Sequence, residues 1–415
     1  MKAELLIAAS ISLVSAREPI VLPIQRNAKS TVSSSMARAK AMNSKFIVDP
    51  ATAPLKNEIV LYSCPVYVGD GQHLELDLDT GSADMWVFGS NCTSVDGSCS
   101  HPKINLNDTS ITQVVPAQSF RVYYGSGNVT ADIYRAPVTV ANETAMLPIG
   151  VASNAYGMKS TNGLIGLAFN GLSEISYKLN TTARPPFAPE NNANFFDQLD
   201  FPEYQRMFSF YLSNYDDGDS GQVTFGGFDE TKFTGDIHWV DVLSVDITKL
   251  GFRQTDPPTP PTLFWWLFDL NEWTVSVNGT VPIVNQSLAS GQFNTSIADT
   301  GTTLIILGYD IARAINTAIG GAFNPKTGYY DLNCTASYPD VTFHHDGFDF
   351  NLPSSFYLFK LSNVHCISGI IGQKDHKGNN FALFGDIFLR AFYSIYDKSF
   401  DSPRIGFAKA VHPSK

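Results

Sequence analysis

Two copies of the tripeptide Asp-Thr-Gly constrain this chain of 415 residues more than any other feature of its sequence. The first lies in residues 74–87, LELDLDTGSADMWV, and the second in residues 297–307, IADTGTTLIIL. In the first stretch Leu74, Leu76 and Leu78 alternate with acidic residues, which is typical of a strand with one buried face. Each Asp-Thr-Gly then forms the turn after a strand, where glycine lets the backbone approach another group closely.

The repeat places one carboxylate, that of Asp79 or Asp299, at the end of an apolar strand. A single copy is readily explained as a turn cap, because aspartate commonly has that role before glycine. Two copies, each followed by a hydroxyl residue, Ser82 or Thr302, are much harder to explain as two independent caps. We interpret the pair as the feature around which the chain is organised.

The composition is that of a globular protein with room for two substantial domains, since 44% of the residues are hydrophobic and 12% are aromatic. Residues 1–16, MKAELLIAASISLVSA, combine a lysine, an apolar run and small residues, which predicts a secretory signal peptide. The apolar run is too short to span a bilayer, and no membrane anchor is expected elsewhere. We therefore expect an exported, soluble product.

Cysteines and glycosylation motifs agree with export. We expect Cys92 and Cys99 to close a short loop, Cys334 and Cys366 to close a longer one, and Cys64 to remain a buried free thiol. Nine Asn-x-Ser/Thr motifs occur, at Asn91, Asn107, Asn128, Asn142, Asn180, Asn278, Asn285, Asn294 and Asn333.

Charge is distributed unevenly along the chain. Residues 1–57 hold 8 Lys and Arg against 3 Asp and Glu, a balance of +5, and the remainder holds 20 against 36, a balance of −16. A basic segment before an acidic body predicts a propeptide, residues 17–57, which binds the body at neutral pH and is released when carboxylates protonate. The alternative is a basic solvated linker. Nucleic-acid binding is disfavoured, because the acidic body would repel phosphate.

From Glu58 onward, short apolar runs recur between Gly, Asn, Asp and Pro turns, which predicts an ordered, mainly β body. Short helices are expected at residues 195–199 and 310–319. Two Pro-rich stretches, residues 180–194 and 253–262, are expected to be mobile surface loops.

Other chemistries lack their motifs. The sequence contains no HExxH, no GxSxG and no P-loop. His344, His345 and Asp346 form the only suggestive metal-ligand cluster, and beside Gly347 we interpret it as an exposed loop. No metal and no cofactor are expected.

From about Glu58 to its end, the chain resembles the pepsin-like aspartic proteases. Beyond the two Asp-Thr-Gly motifs, the resemblance rests on Trp86 seven residues after Asp79, on Tyr124-Gly125-Ser126-Gly127, on NGLIGLA from Asn162, on FGG at 225–227 and on LFGDIFLRAFYSIYD at 383–397. The turns and the ending RIGFA are similar to those of secreted fungal pepsins, mucorpepsin among them. The resemblance implies a bilobal β fold with a central cleft, an N-terminal lobe at residues 58–206, a C-terminal lobe at 207–415 and a β-hairpin flap over the cleft.

The resemblance also assigns roles to residues of this chain. Asp79 and Asp299 would be the catalytic pair. Thr80 and Thr300 would interact across the interface between the lobes. Ser82 and Thr302 would hydrogen-bond the outer oxygens of the two aspartates. Tyr124 would contact the indole N–H of Trp86. Substrate would be bound by Gly81, Gly125, Ser126 and Gly301 through their backbone, by Leu164 and Ile297 as pocket walls, and by Asp77 and Thr303 as polar contacts.

The function implied is that of a secreted or vacuolar endopeptidase, active in acid and made as a zymogen. Its partners would be protein or peptide substrates and its own propeptide, whose Lys40 or Lys45 would pair with the catalytic aspartates. We expect a monomer. Because Ser126 stands where some fungal relatives carry an acid that accepts lysine, apolar or aromatic residues are expected at the cleaved bond. The alternatives are a non-catalytic binding protein on the same fold and a secreted glycosidase with separated carboxylates.

Overall fold

This computed structural model describes residues 19–30, 59–125, 127–141, 143–180, 188–214, 221–245, 262–270, 273–278, 295–362, 365–373, 382–399 and 402–412. Strands dominate these residues, so the predicted mainly β class is confirmed. The described strands form five sheets. One sheet makes the first half of the molecule, three smaller sheets make the second half, and a six-stranded sheet, called the platform here, joins the two halves.

The first half is one nine-stranded sheet. Its members are β2 (Gln25–Ser30), β3 (Ile59–Val68), β4 (Gln72–Asp79), β5 (Trp86–Thr93), β6 (Thr112–Gln113), β7 (Ser119–Tyr123), β8 (Asn128–Val140), β9 (Glu143–Tyr156) and β10 (Gly163–Gly166). The order is β2-β3-β4-β10-β5-β9-β8-β6, with β7 paired to β8. Because β3 also pairs with β8, the sheet folds back on itself around an apolar interior.

A six-stranded sheet takes strands from both ends of the chain. It consists of β1 (Ile20–Pro23), β11 (Met207–Tyr211), β12 (Gln222–Phe225), β13 (Phe233–Asp241), β26 (Phe392–Asp397) and β27 (Arg404–Ala410). The order is β1-β12-β11-β26-β27-β13. It forms the platform that joins the two halves.

The second half contains three smaller sheets. The five-stranded sheet has the order β14 (Leu267–Asp269), β16 (Thr295–Ala298), β25 (Ala382–Phe384), β17 (Ile305–Gly308), β24 (Ile370–Gln373). The three-stranded sheet has the order β15 (Thr274–Val277), β20 (Val341–His345), β21 (Phe348–Leu352). The four-stranded sheet has the order β18 (Ala322–Asn324), β19 (Tyr329–Leu332), β23 (Cys366–Ser368), β22 (Leu358–Lys360).

The described helices are short. They are α1 (Glu174–Leu179), α2 (Tyr309–Ala318), α3 (Ser354–Tyr357) and α4 (Asp386–Ala391). Single 3-10 turns lie at Ser98–Ser100, Asn170–Leu172, Pro189–Asn191, Phe196–Gln198, Glu203–Gln205 and Glu230–Lys232. In α2 the buried residues Ile311 and Ile315 stand four apart on one face, which is why this stretch forms the helix that its spacing predicts.

The two halves meet at an aromatic cluster. Phe208 of β11 stacks on Tyr396 of β26 with ring centres 5.0 Å apart, and Trp266 packs against both rings. Phe169, from the first half, lies 4.6 Å from Trp266. These large rings remove much apolar surface from water where the platform meets both halves.

Two sequence expectations need correction. Ordered structure is not confined to the residues after Glu58, because residues 20–30 form β1 and β2, which pair with β12 and β3. In the stretch at 180–194, residues 188–194 are described and include a 3-10 turn, where Arg135 donates to the side chain of Asn191 at 2.6 Å; residues 181–187 lie outside the described residues. Most of the other stretch, residues 253–261, lies outside the described residues.

The prediction that the histidine cluster forms an exposed loop is wrong for two of its three residues. His344 and His345 lie in strand β20 and not in a loop. Only Asp346 and Gly347 form the turn, and both have positive φ, of 45° and 74°. Such a two-residue turn matches the twist of the strands that it joins.

Candidate active site

The first Asp-Thr-Gly loop fixes the carboxylate of Asp79 with two hydrogen bonds from its own turn. Asp79 is the last residue of β4, and its side chain is buried. The backbone N–H of Gly81 donates to Oδ1 at 2.8 Å, and the hydroxyl of Ser82 donates to Oδ2 at 2.8 Å. Each carboxylate oxygen retains a further acceptor position for another donor.

The second loop repeats this arrangement from the other half. Asp299 follows β16 directly and is also buried. The N–H of Gly301 donates to its Oδ1 at 2.8 Å, and the hydroxyl of Thr302 donates to its Oδ2 at 2.6 Å. The structure therefore presents two carboxylates in equivalent surroundings.

Glycine lets each carboxylate approach the opposite loop. A Cβ atom on Gly81 would stand 2.6 Å from Oδ1 of Asp299, and a Cβ atom on Gly301 would collide with the carboxylate of Asp79. Any side chain at either position would have to displace the carboxylate of the other half. The two aspartates thus lie against each other's loops at the interface between the halves.

Two threonines lock the loops together. The hydroxyl of Thr80 donates to the carbonyl of Ala298 at 2.8 Å, and the hydroxyl of Thr300 donates to the carbonyl of Leu78 at 2.8 Å. All of these groups are buried, so each bond forms where water does not compete.

A parallel strand braces each loop. Strand β10 runs parallel to β4, with Gly166 opposite Asp79, and the N–H of Leu167 donates to the carbonyl of Asp79 at 2.8 Å. In the second half β25 runs parallel to β16, and the N–H of Asp386 donates to the carbonyl of Thr302 at 2.8 Å. The same support on both sides makes the pair of loops nearly symmetric.

Tyr124 belongs to a hairpin of the first half of the molecule, the half that also carries Asp79. Strands β7 and β8 are joined by residues 124–127, and the N–H of Tyr124 donates to the carbonyl of Gly127 at 2.7 Å. The indole Nε1–H of Trp86 donates to the hydroxyl of Tyr124 at 2.8 Å, and both side chains are buried. The ring of Tyr124 is thereby held beside the start of β5, seven residues beyond Asp79.

The remaining predicted site residues are distributed around the loops. Leu164 lies in β10 opposite Asp77 of β4, and both are buried. Ile297 lies in β16 between Leu267 and Leu383, and it is fully buried. Thr303 is buried at the end of the second loop.

Two further predicted residues follow Tyr124 in the chain. Gly125 lies in that turn, beside Tyr124. Ser126 lies outside the described residues.

One buried acid in this region was not singled out from the sequence. Asp84 lies in the loop after Asp79, is 3% exposed and accepts hydrogen bonds from Ser173, Glu174 and Ile175. One sequence feature could have identified it: Asp84 lies in the apolar run Ala83 to Val87, where a charged residue is unexpected.

The cysteines are placed away from these loops. Disulfides join Cys92 to Cys99 and Cys334 to Cys366. Cys64 is free and buried, and burial, together with the acidic Glu75 and Asp77, raises the pKa of its thiol. A thiol in such surroundings is a poor nucleophile, because the thiolate is the reactive form.

Metal-binding clusters and membrane-spanning helices are both absent from the described residues. No group of three or more His, Cys, Asp or Glu side chains is arranged to hold a metal ion within the described ranges. None of the described helices has the length and apolar character needed to cross a bilayer.

Comparison with known proteins places the chain in a family. The model for eukaryotic aspartyl proteases matches residues 61–410. Penicillopepsin-1 of Penicillium rubens is 29% identical over 364 residues, which cover 86% of this chain and 80% of that protein. Aspergillopepsin-1 of Aspergillus fumigatus is 30% identical over 361 residues, covering 84% and 78%. A probable vacuolar protease A of Arthroderma benhamiae is 30% identical over 350 residues, covering 82% and 76%.

The family match spans both Asp-Thr-Gly loops, the hairpin and the platform strands from β11 to β27. This chain belongs to the eukaryotic aspartyl protease family.

Proposed function

We propose that this chain is an acid endopeptidase that hydrolyses peptide bonds with a water molecule activated by Asp79 and Asp299. The observation that carries the proposal is the pair of equivalent loops, in which each glycine leaves room for the opposite carboxylate. Two carboxylates this close share one proton, the arrangement for which aspartic proteases are the standard example.

The mechanism follows from one shared proton. The ionised carboxylate takes a proton from the bound water as the oxygen attacks the peptide carbonyl, and the protonated carboxyl gives its proton to the carbonyl oxygen. A neutral diol results. One carboxylate then removes a hydroxyl proton from the diol while the other carboxyl protonates the nitrogen, and the C–N bond breaks. No covalent intermediate with the protein forms.

Surrounding residues position the reacting groups. Ser82 and Thr302 hold the outer oxygens, so the inner oxygens remain for water and substrate. The hairpin at 119–140 acts as a flap, and Tyr124 closes over the substrate while bonded to Trp86. Backbone groups of Gly81, Gly125, Ser126 and Gly301 bind the peptide as an added strand.

Apolar side chains are preferred at the cleaved bond. Leu164 and Ile297 supply apolar walls beside the two loops. Asp77 and Thr303 add polar contacts to the backbone of the substrate. A cleavage-site profile on a peptide mixture tests this preference, and frequent cleavage beside lysine would contradict it.

The basic segment at 17–57 acts as an inhibitory propeptide, following a signal peptide at 1–16. Strands β1 and β2, which fall in this segment, pair with β12 and β3 of the body. Lys40 and Lys45 lie outside the described residues; one of them pairs with the aspartates until acid protonates the carboxylates. Replacing both lysines with alanine should give a precursor that is less latent than wild type when both are assayed at the same mildly acidic pH, whereas replacing the exposed Lys326 should leave the precursor as latent as wild type.

The enzyme is exported as a monomer and acts on protein or peptide substrates. Its destination is the medium, with the vacuole as the alternative that the relative named vacuolar protease A favours. Fractionation of cells and medium, followed by detection of the chain, distinguishes the two.

The decisive assay is cleavage of a denatured protein at about pH 3 to 4, with and without pepstatin, a transition-state mimic. The proposal predicts cleavage that pepstatin blocks. A binding protein on the same fold would cleave nothing, and a glycosidase would release sugar from a polysaccharide and leave the protein intact.

A further inference from the structure

Asp96 and Ser98 form a hydrogen-bonded turn inside the loop that the disulfide between Cys92 and Cys99 closes. The N–H of Ser98 donates to Oδ1 of Asp96 at 3.1 Å, and the hydroxyl of Ser98 donates to Oδ2 at 2.9 Å. Ser98 is fully buried. The disulfide and these two bonds fix the position of the Asp96 carboxylate, for which the proposed chemistry has no use.

The same two side chains hold the residues that follow β9. The N–H of Gly157 donates to Oδ2 of Asp96 at 2.9 Å, and the N–H of Met158 donates to the hydroxyl of Ser98 at 2.9 Å. Gly157 has a positive φ of 74°, so the chain turns as it leaves the strand. Met158 is buried in the cluster that also contains Tyr124. The disulfide loop therefore supports a segment next to the hairpin.

The hairpin of β7 and β8 rests on this segment. Asn128, the first residue of β8, pairs with Tyr156, the last residue of β9. A Cβ atom on Gly127 would collide with the carbonyl oxygen of Tyr156 and would stand 2.8 Å from the Cα atom of Gly157, so the two backbones are in direct contact. A shift of residues 156–158 would therefore move the end of the hairpin that carries Tyr124.

The bonds to Asp96 suit an enzyme that works in acid. Burial raises the pKa of Asp96, but the hydrogen bonds from Gly157 and Ser98 and the charge of Lys159 outweigh burial, so the pKa lies below its usual value. A charged acceptor forms stronger hydrogen bonds than a neutral one. The link between the disulfide loop and Gly157 therefore persists to lower pH than a link through an unshifted aspartate would.

We propose that Asp96, assisted by Ser98, is a positioning residue that acts through residues 156–158 and holds the hairpin of β7 and β8 ready to close over substrate. Without its bonds the hairpin moves more freely and must be ordered each time substrate binds. Only the molecules with an ordered hairpin then bind tightly, so the apparent affinity falls with their fraction. Substrate and transition state lose the same binding, so KM rises while kcat changes little.

The effect on KM rests on the proposed function, because it requires that the hairpin closes over a substrate. The effect on the mobility of the hairpin does not rest on it. The two effects are therefore measured separately.

Asp229 provides a matched control in the platform, between β12 and β13. Like Asp96, it accepts three hydrogen bonds in a turn: two from Thr231, at 3.0 and 2.6 Å, and one from Gln222 at 2.9 Å. Asp229→Ala therefore removes as many hydrogen bonds as Asp96→Ala does. It removes them at a different place in the fold.

Asp96→Asn is the conservative variant. Its amide oxygen, in the place of Oδ2, can accept from the N–H of Gly157 and from the hydroxyl of Ser98. Only the bond from the N–H of Ser98 is lost, because the amide NH₂ then faces a donor. This variant keeps the link to Gly157 and should restore what Asp96→Ala loses.

The experiment compares wild type, Asp96→Ala, Asp96→Asn and Asp229→Ala in the activated enzyme at about pH 4. The values of kcat and KM are measured on a reporter peptide. Amide hydrogen exchange is measured in residues 119–131, with exchange in α4 as the internal reference.

We expect Asp96→Ala to raise KM by about fivefold or more, to keep kcat within about twofold of wild type, and to exchange faster in residues 119–131. The KM values of Asp96→Asn and Asp229→Ala should stay within about twofold of wild type. Exchange in residues 119–131 that is equal in Asp96→Ala and Asp229→Ala would overturn the proposal. An unchanged KM in an Asp96→Ala enzyme that cleaves peptide would also overturn it.

Failure of the proposed function would give a different result. Faster exchange in residues 119–131 of Asp96→Ala, with no peptide cleavage by any of the four proteins, would contradict the proposed function. The role of Asp96 in holding the hairpin would still stand.

Ser98→Ala covers the case in which Asp96→Ala does not fold. This smaller change removes the acceptor of the Met158 N–H and one donor to Asp96, and it leaves the bond from Gly157 in place. Faster exchange in residues 119–131 than in wild type, relative to α4, supports the proposal. Exchange equal to that of wild type overturns it.

Discussion

Thr80 and Thr300 each donate their backbone N–H to the hydroxyl of the other, at 3.1 and 3.0 Å. Each hydroxyl donates in turn across the interface to a strand carbonyl, that of Ala298 or Leu78. Four buried hydrogen bonds therefore join the two loops at the point where the two carboxylates meet. The relative position of Asp79 and Asp299 depends on this lock.

The lock can be tested with Thr80→Val, which keeps the shape of the side chain and removes its hydroxyl. The N–H of Thr300 and the carbonyl of Ala298 lose their partners in a buried place, at about 1 to 3 kcal/mol for each group. We expect a lower free energy of unfolding and a lower kcat, measured by denaturant unfolding and peptide cleavage.

The control for the lock is Thr139→Val. Thr139 is partly exposed, and its hydroxyl contacts that of Thr144 at 2.7 Å. Its replacement should change the free energy of unfolding by no more than about 0.5 kcal/mol. Equal effects at the two positions would contradict a special role for Thr80.

The hairpin contact is tested by Tyr124→Phe. The ring remains, but the indole N–H of Trp86 loses its buried acceptor, so the hairpin is held less firmly. We expect kcat/KM to fall by about tenfold, which corresponds to about 1.4 kcal/mol. Tyr123→Phe is the matched control, because Tyr123 is the neighbouring residue and is 61% exposed. If both variants cleave peptide equally well, the hydroxyl of Tyr124 does not contribute to kcat/KM.

The contact between His238 and His345 predicts that the stability of the protein depends on pH. Nε2 of His238 lies 2.8 Å from Nδ1 of His345, which joins β13 of the platform to β20. Burial and the nearby His345 lower the pKa of His238, and Asp346 partly offsets this. Since the unfolded chain then takes up a proton more readily, the contribution of this pair is present above the unfolded pKa and is lost as the pH falls.

The corresponding variant is His238→Phe, whose ring can still pack on Phe348. We expect it to destabilise the protein at about pH 8 and to do so less, or to stabilise it, at about pH 4. The difference in unfolding midpoint from wild type, measured at both pH values, checks this. A difference that stays constant with pH would contradict the expected linkage.

The contacts within each loop could be anticipated from the sequence because they are local. Ser82 and Thr302 stand three residues after their aspartates, and glycine two residues after each aspartate fits the tight turn. The mainly β class likewise follows from short apolar runs between turn residues. These inferences need only the neighbouring residues of the chain.

Long-range pairing and burial could not be anticipated. Residues 20–23 pair with β12, about 200 positions away, and nothing within a short strand specifies such a partner. His344 and His345 are polar, yet they continue strand β20, because the hairpin turn needs only Asp346 and Gly347. The apolar neighbours of Asp84 hint at burial, but its partners at the start of α1 lie about 90 positions away and cannot be read from them.

The most direct test of the two-aspartate mechanism is the cleavage rate of Asp79→Asn and Asp299→Asn at about pH 4, with Asp310→Asn, whose side chain is 85% exposed, as control. Asparagine keeps an acceptor for the N–H of Gly81 or Gly301, so each variant should still fold, as its unfolding curve can verify. This mechanism predicts that either change lowers kcat by about 10³-fold or more, because the pair of side chains can then no longer both take and give a proton. Cleavage by either variant at the rate of the control would contradict it.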